Sequence, residues 1–287
     1  RERPGTTLIC NEENSGSPFR QWMKGIQTAR AELIWIAEAD DFAEAELLES
    51  LLPMMDDRNV FLSYVKSVPV TSDGKIAGDY EELYLNRINE GRWSAPYQCS
   101  DHTEVNEGLG IANCIPNASS VMLRKFEPEP EFIAAVSDMK LCGDWFFYLR
   151  AIYGGEIGYC SRALNYHRRH ANTVTSRMEG SPQYFDELQT VRNFVTENYR
   201  QTGAAEERIR KFVIEDLDRF GISDASQRDK ILSSATRRSD EKQLPTLAVV
   251  VADLSPGGGQ VFAVSLANGW AARGGRVCLF NLGQLPS

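Results

Sequence analysis

The chain has 287 residues, 42% of them hydrophobic and 25% charged, with a formal net charge of −9 and a pI near 5.0. These values exclude wholesale disorder, a collagen-like repeat and a coiled coil, and no apolar run approaches the roughly 18–20 residues that cross a bilayer. The acidic balance argues against a nucleic-acid partner and suits an enzyme that meets an anionic substrate through a bound cation.

At about 150 residues per domain, the length predicts two domains. Thr6–Cys10 is a short β-rich run that ends in a polar turn at 11–16. Ser17-Pro18 reads as an N-cap followed by proline at the first helical position, and Phe19, Trp22, Met23 and Ile26 place one buried face on helix 18–30. Leu33–Ala37 is a continuous apolar strand of the kind buried on both faces of a parallel sheet. A helix with Leu47, Leu48, Leu51 and Leu52 on one stripe follows, then a strand at Val60–Val65. Strand and helix in alternation predict a three-layer α/β sheet. Residues 66–117 are irregular. Further on, the pattern predicts strands at Ser119–Leu123 and Ala163–His167, a loop and turn of helix over Phe126–Ala135, and a helix over Asp144–Tyr153. Two amphipathic helices, 183–200 and 204–220, precede a polar stretch at 221–243 that reads as a linker. A strand at Leu247–Val251, a glycine loop at Gly257, Gly258 and Gly259, a helix over Gln260–Arg273 and a strand at Arg276–Phe280 make one βαβ unit.

Three clusters can carry chemistry. Glu38-Ala39-Asp40-Asp41 sets three acids at the end of a predicted strand, where ligand sites of open α/β sheets lie. Carboxylates this close repel unless a cation neutralises them, and Mg²⁺ or Mn²⁺ binds through one or two carboxylates plus phosphate oxygens. The same acids also suit the start of a helix, whose dipole favours negative charge there. Asp144, before an aromatic run, is either a helix N-cap or a general base whose proton affinity is raised by Trp145 and Phe146. His167-Arg168-Arg169-His170 follows a strand and reads as a phosphate-contacting loop or as a solvated basic turn. The six cysteines form no CxxC pair and there are three histidines, so neither a zinc site nor a disulfide framework is expected, and isolated thiols suit a reducing compartment.

The order of these segments resembles the family 2 glycosyltransferases of the GT-A fold. Asn11-x-x-Asn14-x-Gly16, the helix ending Gly25-Ile26-x-x-Ala29, and ELIWIAEADD match that family's glycine-turn helix and its strand ending in Asp-x-Asp. Gly143-Asp144-Trp145 resembles its Glu-Asp motif, Asn113–Lys125 its acceptor-side strand, and His167-Arg168-Arg169-His170-x-Asn172-x-x-Thr175 its late Arg/His loop. The likeness covers roughly residues 6–180. Glu38 replaces the first Asp and Gly143 replaces the Glu. The family's first two βα units, with the Asp that reads the nucleotide base, have no counterpart, so the chain starts at about the third strand. Val249–Gly259 and the pattern around Ala267, Ala271 and Gly274 resemble the opening of a family 4 glycosyltransferase of the GT-B fold, with its phosphate loop at Gly257, Gly258 and Gly259.

The resemblance implies a partial GT-A domain at 1–180, a helical extension at 181–222, a linker at 223–243 and the start of a GT-B-like domain at 244–287. It implies an inverting, divalent-cation-dependent transferase that moves a sugar from a nucleotide-diphosphate donor to a glycan or lipid-linked acceptor in cell-surface polysaccharide synthesis. Asp144 would be the base, Asp40 and Glu38 the Mg²⁺ or Mn²⁺ ligands, and Arg168, Arg169 and His170 the diphosphate contacts. Asn117, Ser119 and Trp93 would meet donor or acceptor sugar. A cytoplasmic place, at or near the inner face of the membrane, goes with that chemistry. A non-catalytic sugar- or nucleotide-binding scaffold and a metal-dependent nucleotidyltransferase are the competing expectations. The start at Arg1 and the stop at Ser287, just after a strand pattern, read as the edges of a cut from a longer protein.

Overall fold

The structure, a computed structural model, describes residues 6–170, 178–235, 247–251, 265, 268–270 and 277–281. Helix α1 (Pro18–Thr28) begins where proline fixes the first helical φ, and it buries Phe19, Met23 and Ile26 as their spacing dictates. Ser17 occupies the N-cap position without a side-chain cap bond, and its buried hydroxyl has no partner among the described residues. Then come β1 (Leu33–Trp35), β2 (Phe42–Ala43), α2 (Leu47–Met55), β3 (Val60–Val70), β4 (Tyr97–Ser100) and α3 (Asp101–Glu107). After these follow β5 (Val121–Arg124), α4 (Pro130–Asp138), α5 (Gly143–Ile152) and β6 (Glu156–Arg168).

Six strands form one mixed sheet in the order β1-β5-β3-β6-β2, with β4 also paired to β6. Only β3 and β6 pair in parallel; the other pairs are antiparallel. The expectation that Leu33–Ala37 is a doubly buried parallel strand is thereby corrected. β1 is a three-residue strand at the sheet edge, antiparallel to β5, with Trp35 39% exposed. A run of five apolar residues does not by itself distinguish two-sided burial from an edge position. The chain leaves the sheet there because Glu38 N–H is captured by the Ser119 hydroxyl (3.0 Å) and the Trp35 indole by the Ser119 carbonyl (2.8 Å). β3 and β6 run well beyond Val60–Val65 and Ala163–His167. Register shifts at Val65/Lys66 and Lys66/Ser67 absorb an irregularity and let the pairing continue through polar residues.

The sheet is covered on both faces, as the α/β class requires. Leu62, Tyr64, Leu123, Ile157 and Tyr159 face the core shared with α1, α4 and α5. Val60, Val65, Met122, Cys160 and Leu164 face Leu47, Leu51 and Met55 of α2. Three further helices close the first core: α6 (Pro182–Asn198), α7 (Gly203–Arg219) and α8 (Ala225–Ala235). The last corrects the reading of 223–243 as a linker throughout. Ile231 and Ala235 anchor α8 in that core with Leu232 packed beside them, and most of its other residues are polar because only one narrow stripe is buried. β7 (Leu247–Val251) and β8 (Val277–Asn281) form a separate parallel pair. The glycines 257, 258 and 259 lie outside the described residues, as do Asn172 and Thr175. Cys10, Cys99, Cys114, Cys142 and Cys160 are free thiols. Among the described residues no helix is long and apolar enough to cross a membrane.

Candidate active site

Residues 38–41, which lead into β2, lie beside the N-terminus of α5 and the end of β6. Asp41 is the anchor. Its Oδ2 accepts from Asn117 Nδ2 and from Ser119 Oγ (2.7 Å), and its Oδ1 from the Arg168 backbone N–H (2.9 Å). Beneath it, Asn165 Nδ2 donates to Asn117 Oδ1 (2.9 Å) and to Ser67 Oγ (3.0 Å). Asn117 and Ser119, both expected to meet a sugar, are buried and bonded within this network. A short polar side chain in such a place is held by the chain's own acceptors, and sequence alone does not show which. Asp41→Ala would leave three donors without an acceptor. Hydrogen bonds to charged groups contribute about 1.5–3 kcal/mol each, partly recovered by water. We expect a loss of about 2–3 kcal/mol in urea unfolding, and a loss under about 0.5 kcal/mol would refute the anchor role.

Asp40 and Glu38 are arranged differently from Asp41. Asp40 is exposed, with Oδ2 3.1 Å from His170 Nε2. Glu38 is half-buried, and its carboxyl is pushed up to about 7, first by burial and then by Asp41, Asp144 and Asp40. Arg168 spends its guanidinium on backbone: Nε donates to the Asp40 carbonyl (2.8 Å) and Nη1 to those of Thr71 (3.3 Å) and Ser72 (2.7 Å). It also lies over the Phe42 ring, which stacks on Tyr166. Arg168 therefore shapes the acid loop and, in this arrangement, is poorly placed to fork a diphosphate. Arg169 is exposed and lies beside Tyr80. His167 is held by Tyr80, whose hydroxyl is 2.7 Å from Nδ1, and burial pushes its pKa down.

Asp144 sits in the first turn of α5. Its Oδ1 accepts from the Trp145 N–H (2.7 Å) and its Oδ2 from Asn113 Nδ2 (2.9 Å). Burial pushes its carboxyl up to about 6 against the pull of these bonds. One turn along, the buried Tyr148 hydroxyl has no hydrogen-bond partner among the described residues, and its proton is held by burial and then by the negative charge of Asp144 and Glu38. Gly143 stands where the resembled motif has Glu for a steric reason: a Cβ there would come within 2.4 Å of the Phe19 ring. Trp93, expected to meet a sugar, lies in the core. It is 1% exposed, and its indole N–H donates to the Tyr64 hydroxyl (2.9 Å). A lone tryptophan in an irregular region gives no sequence signal that separates stacking from packing. Asn113 was visible only as part of a segment, since nothing local marks it as the partner of a residue 31 positions away.

Among the described residues no three His, Cys, Asp or Glu side chains converge on a common metal position. A hard cation that takes one or two protein ligands and completes its shell with phosphate oxygens needs no such cluster. The exposed Asp40 carboxylate and the adjoining His170 imidazole fit that partial donor set. Asp41 does not, because both of its oxygens are occupied by donors of the chain.

No protein-family model matches the chain, and no curated protein matches it. Among solved structures it is similar to S. aureus TarS residues 1–349, with TM-score 0.46, 14% identity and coverage of 78% of this chain and 60% of that one. The same TarS fragment in complex with UDP-GlcNAc gives TM-score 0.47 at 13% identity, with 78% and 61% covered. A further TarS crystal structure gives 0.49 at 13% identity, with 78% and 36% covered. The chain thus spans about three-fifths of the TarS fragment it matches.

Proposed function

We propose that this site transfers a sugar from a nucleotide-diphosphate donor to a hydroxyl acceptor with inversion at the anomeric carbon. The observation that carries the reading is Asp144: a half-buried carboxylate poised near neutrality, gripped by Asn113, and facing the acid loop at 38–41. A general base works best with its pKa near the operating pH. In the step, the acceptor oxygen forms a bond to the anomeric carbon and its proton passes to Asp144. The bond from that carbon to the diphosphate oxygen breaks, and the electron pair leaves with the diphosphate. Asp40 and His170 would hold the divalent cation, and a cation there supplies positive charge to the leaving diphosphate. The exposed guanidinium of Arg169 adds to it, a contribution of the kind that preorganised cations make to a developing charge. Arg168 holds the loop that carries Asp40. Glu38 faces Asp144 as well as the loop and raises the local negative potential that a cation relieves. The acceptor is proposed as a glycan or a lipid-linked glycan, and the protein as one step of cell-surface polysaccharide synthesis. The helical extension then includes α8, and the βαβ segment at 244–287 is proposed as the start of a second transferase domain.

The test supplies Mn²⁺, an oligosaccharide mixture as acceptor and a panel of nucleotide-diphosphate sugars headed by UDP-GlcNAc, and measures released nucleoside diphosphate. Release that depends on Mn²⁺ and acceptor, and is lost in Asp40→Ala, is the expected result. Pyrophosphate release from nucleoside triphosphates would instead identify a nucleotidyltransferase. Binding of a nucleotide sugar with no turnover under any condition would leave a scaffold.

A further inference from the structure

Helix α6 belongs to the segment that the sequence marks only as an extension, yet its two buried polar side chains both reach toward Asp144. Glu187 is 7% exposed and has no cationic partner among the described residues. Its Oε1 accepts from the Lys140 N–H (2.8 Å), and its Oε2 from the N–H groups of Leu141 (2.8 Å) and Cys142 (2.9 Å). Gln183, one turn earlier on α6, donates to the same carboxylate (3.0 Å). Three successive amides around one carboxylate fix the turn that enters α5, two residues before Asp144. The carboxylate also satisfies these donors at a helix N-terminus, where negative charge is favoured. Arg192, 2% exposed, donates Nη1 to the Gly110 carbonyl and Nη2 to that of Ile111, with its guanidinium 5.1 Å above the Trp145 ring. Trp145 in turn donates its indole N–H to the Leu109 carbonyl (2.6 Å). The held loop, 109–111, leads directly to Asn113, the side chain that grips Asp144.

We infer that α6 is a clamp in which Glu187 and Arg192 are positioning residues: Glu187 sets the backbone of Asp144, and Arg192 sets the loop of its partner Asn113. The inference rests on Asp144 as the base of the proposed transfer. It needs both jaws. Either segment alone leaves the Asn113–Asp144 bond free to open, and a misplacement of about 1 Å at a reacting group can cost on the order of 100-fold in rate. Both side chains spend their hydrogen bonds on the chain's own backbone, so each acts through another residue.

The test is Glu187→Gln in the full chain. The amide keeps the shape but turns an N–H₂ group toward backbone donors. The expected result is a kcat for transfer at least tenfold lower, with the KM for the donor within twofold of the parent. Amide hydrogen exchange at Lys140, Leu141 and Cys142 is expected to be at least tenfold faster, with β3 amides unchanged. A folded Glu187→Gln protein with kcat within twofold of the parent, or with unchanged exchange at those amides, would overturn the clamp. A matching rise in KM would overturn it too, since that places Glu187 in donor binding. If the variant does not fold, exchange in the parent decides: protection of these three amides on a par with α5 supports the clamp, and surface-loop rates overturn it. The exchange measurement needs no turnover. A parent without transferase activity would sink the proposed function and leave the clamp to be judged on exchange alone.

Discussion

Asp144→Asn is expected to lower the transfer rate by about 10²–10⁴-fold, the usual contribution of a positioned general base, while leaving donor affinity within about twofold. The amide keeps the size of the side chain and can still accept from the Trp145 N–H, but it takes no proton. The parent should lose rate about tenfold per pH unit below about 6, because protonation disables the base there. The same substitution should make the protein more stable at pH 8. Burial raises the carboxyl from 3.8 in the unfolded chain to about 6 in the fold, so the folded state binds the proton more tightly. The ionised group is therefore a burden on the fold above about pH 6, and the burden fades as pH falls from there toward 3.8. That rise corresponds to about 3 kcal/mol. Partial exposure and the loss of the Asn113 bond, about 1 kcal/mol, reduce the expected gain to about 1–2 kcal/mol. Calorimetry at pH 8 and pH 4.5 checks the sign: the gain should be present at the first and largely gone at the second. Loss of stability at pH 8 together with a parental transfer rate would exclude Asp144 as a strained base.

The amino-acid pattern reveals some of this site and hides the rest for definite reasons. Phe19, Met23 and Ile26 announce α1 because helix periodicity is local. Asp144 stands out because an acid opens an aromatic-rich helix. Asp41, by contrast, cannot be separated by sequence from Asp40 beside it. Only the fold shows that one carboxylate is used up by Asn117, Ser119 and the Arg168 amide while the other is open. Arg168 and Arg169 pose the same difficulty, since the backbone carbonyls at 40, 71 and 72 that occupy the first leave no trace in the pattern. Glu187 and Arg192 look like surface charges on an amphipathic helix. Their partners lie 45 to 82 positions away, and backbone amides and carbonyls are identical whatever the residue type. The sheet was legible as a class and not as an order, because β1 could be placed at an edge only once β5 was known to pair with it.

Glu104→Ala is expected to be the most destabilising single change in the irregular region, at about 3–5 kcal/mol. Glu104 lies on α3 with no exposed surface. Its Oε2 accepts from Arg92 Nη2 (2.6 Å), and its Oε1 from the Leu109 N–H (3.3 Å) and the Cys114 thiol (3.3 Å). Arg92 lies 4.2 Å over the Tyr97 ring. Burial works against the Arg92 charge, but Glu104, with Tyr97 and Cys99, outweighs it and holds the guanidinium's pKa above the ordinary value. Burial, then Glu104, likewise pushes up the pKa of the Cys114 thiol, so that it stays protonated as a donor. Removing the carboxylate alone strands a cation in a buried setting and frees the Leu109 amide, and that is why breaking such a pair costs more than the pair contributes. The double variant Glu104→Leu with Arg92→Met removes both charges and should recover at least half of the loss. Chemical denaturation of the two variants decides between charge stranding and simple loss of packing. A double variant as unstable as the sum of its parts would assign the cost to packing. Leu109 is also the residue whose carbonyl receives the Trp145 indole. Glu104→Ala should therefore lower kcat even in protein that is still folded, because the loop that carries Asn113 loses its support from α3 while α6 alone still holds it.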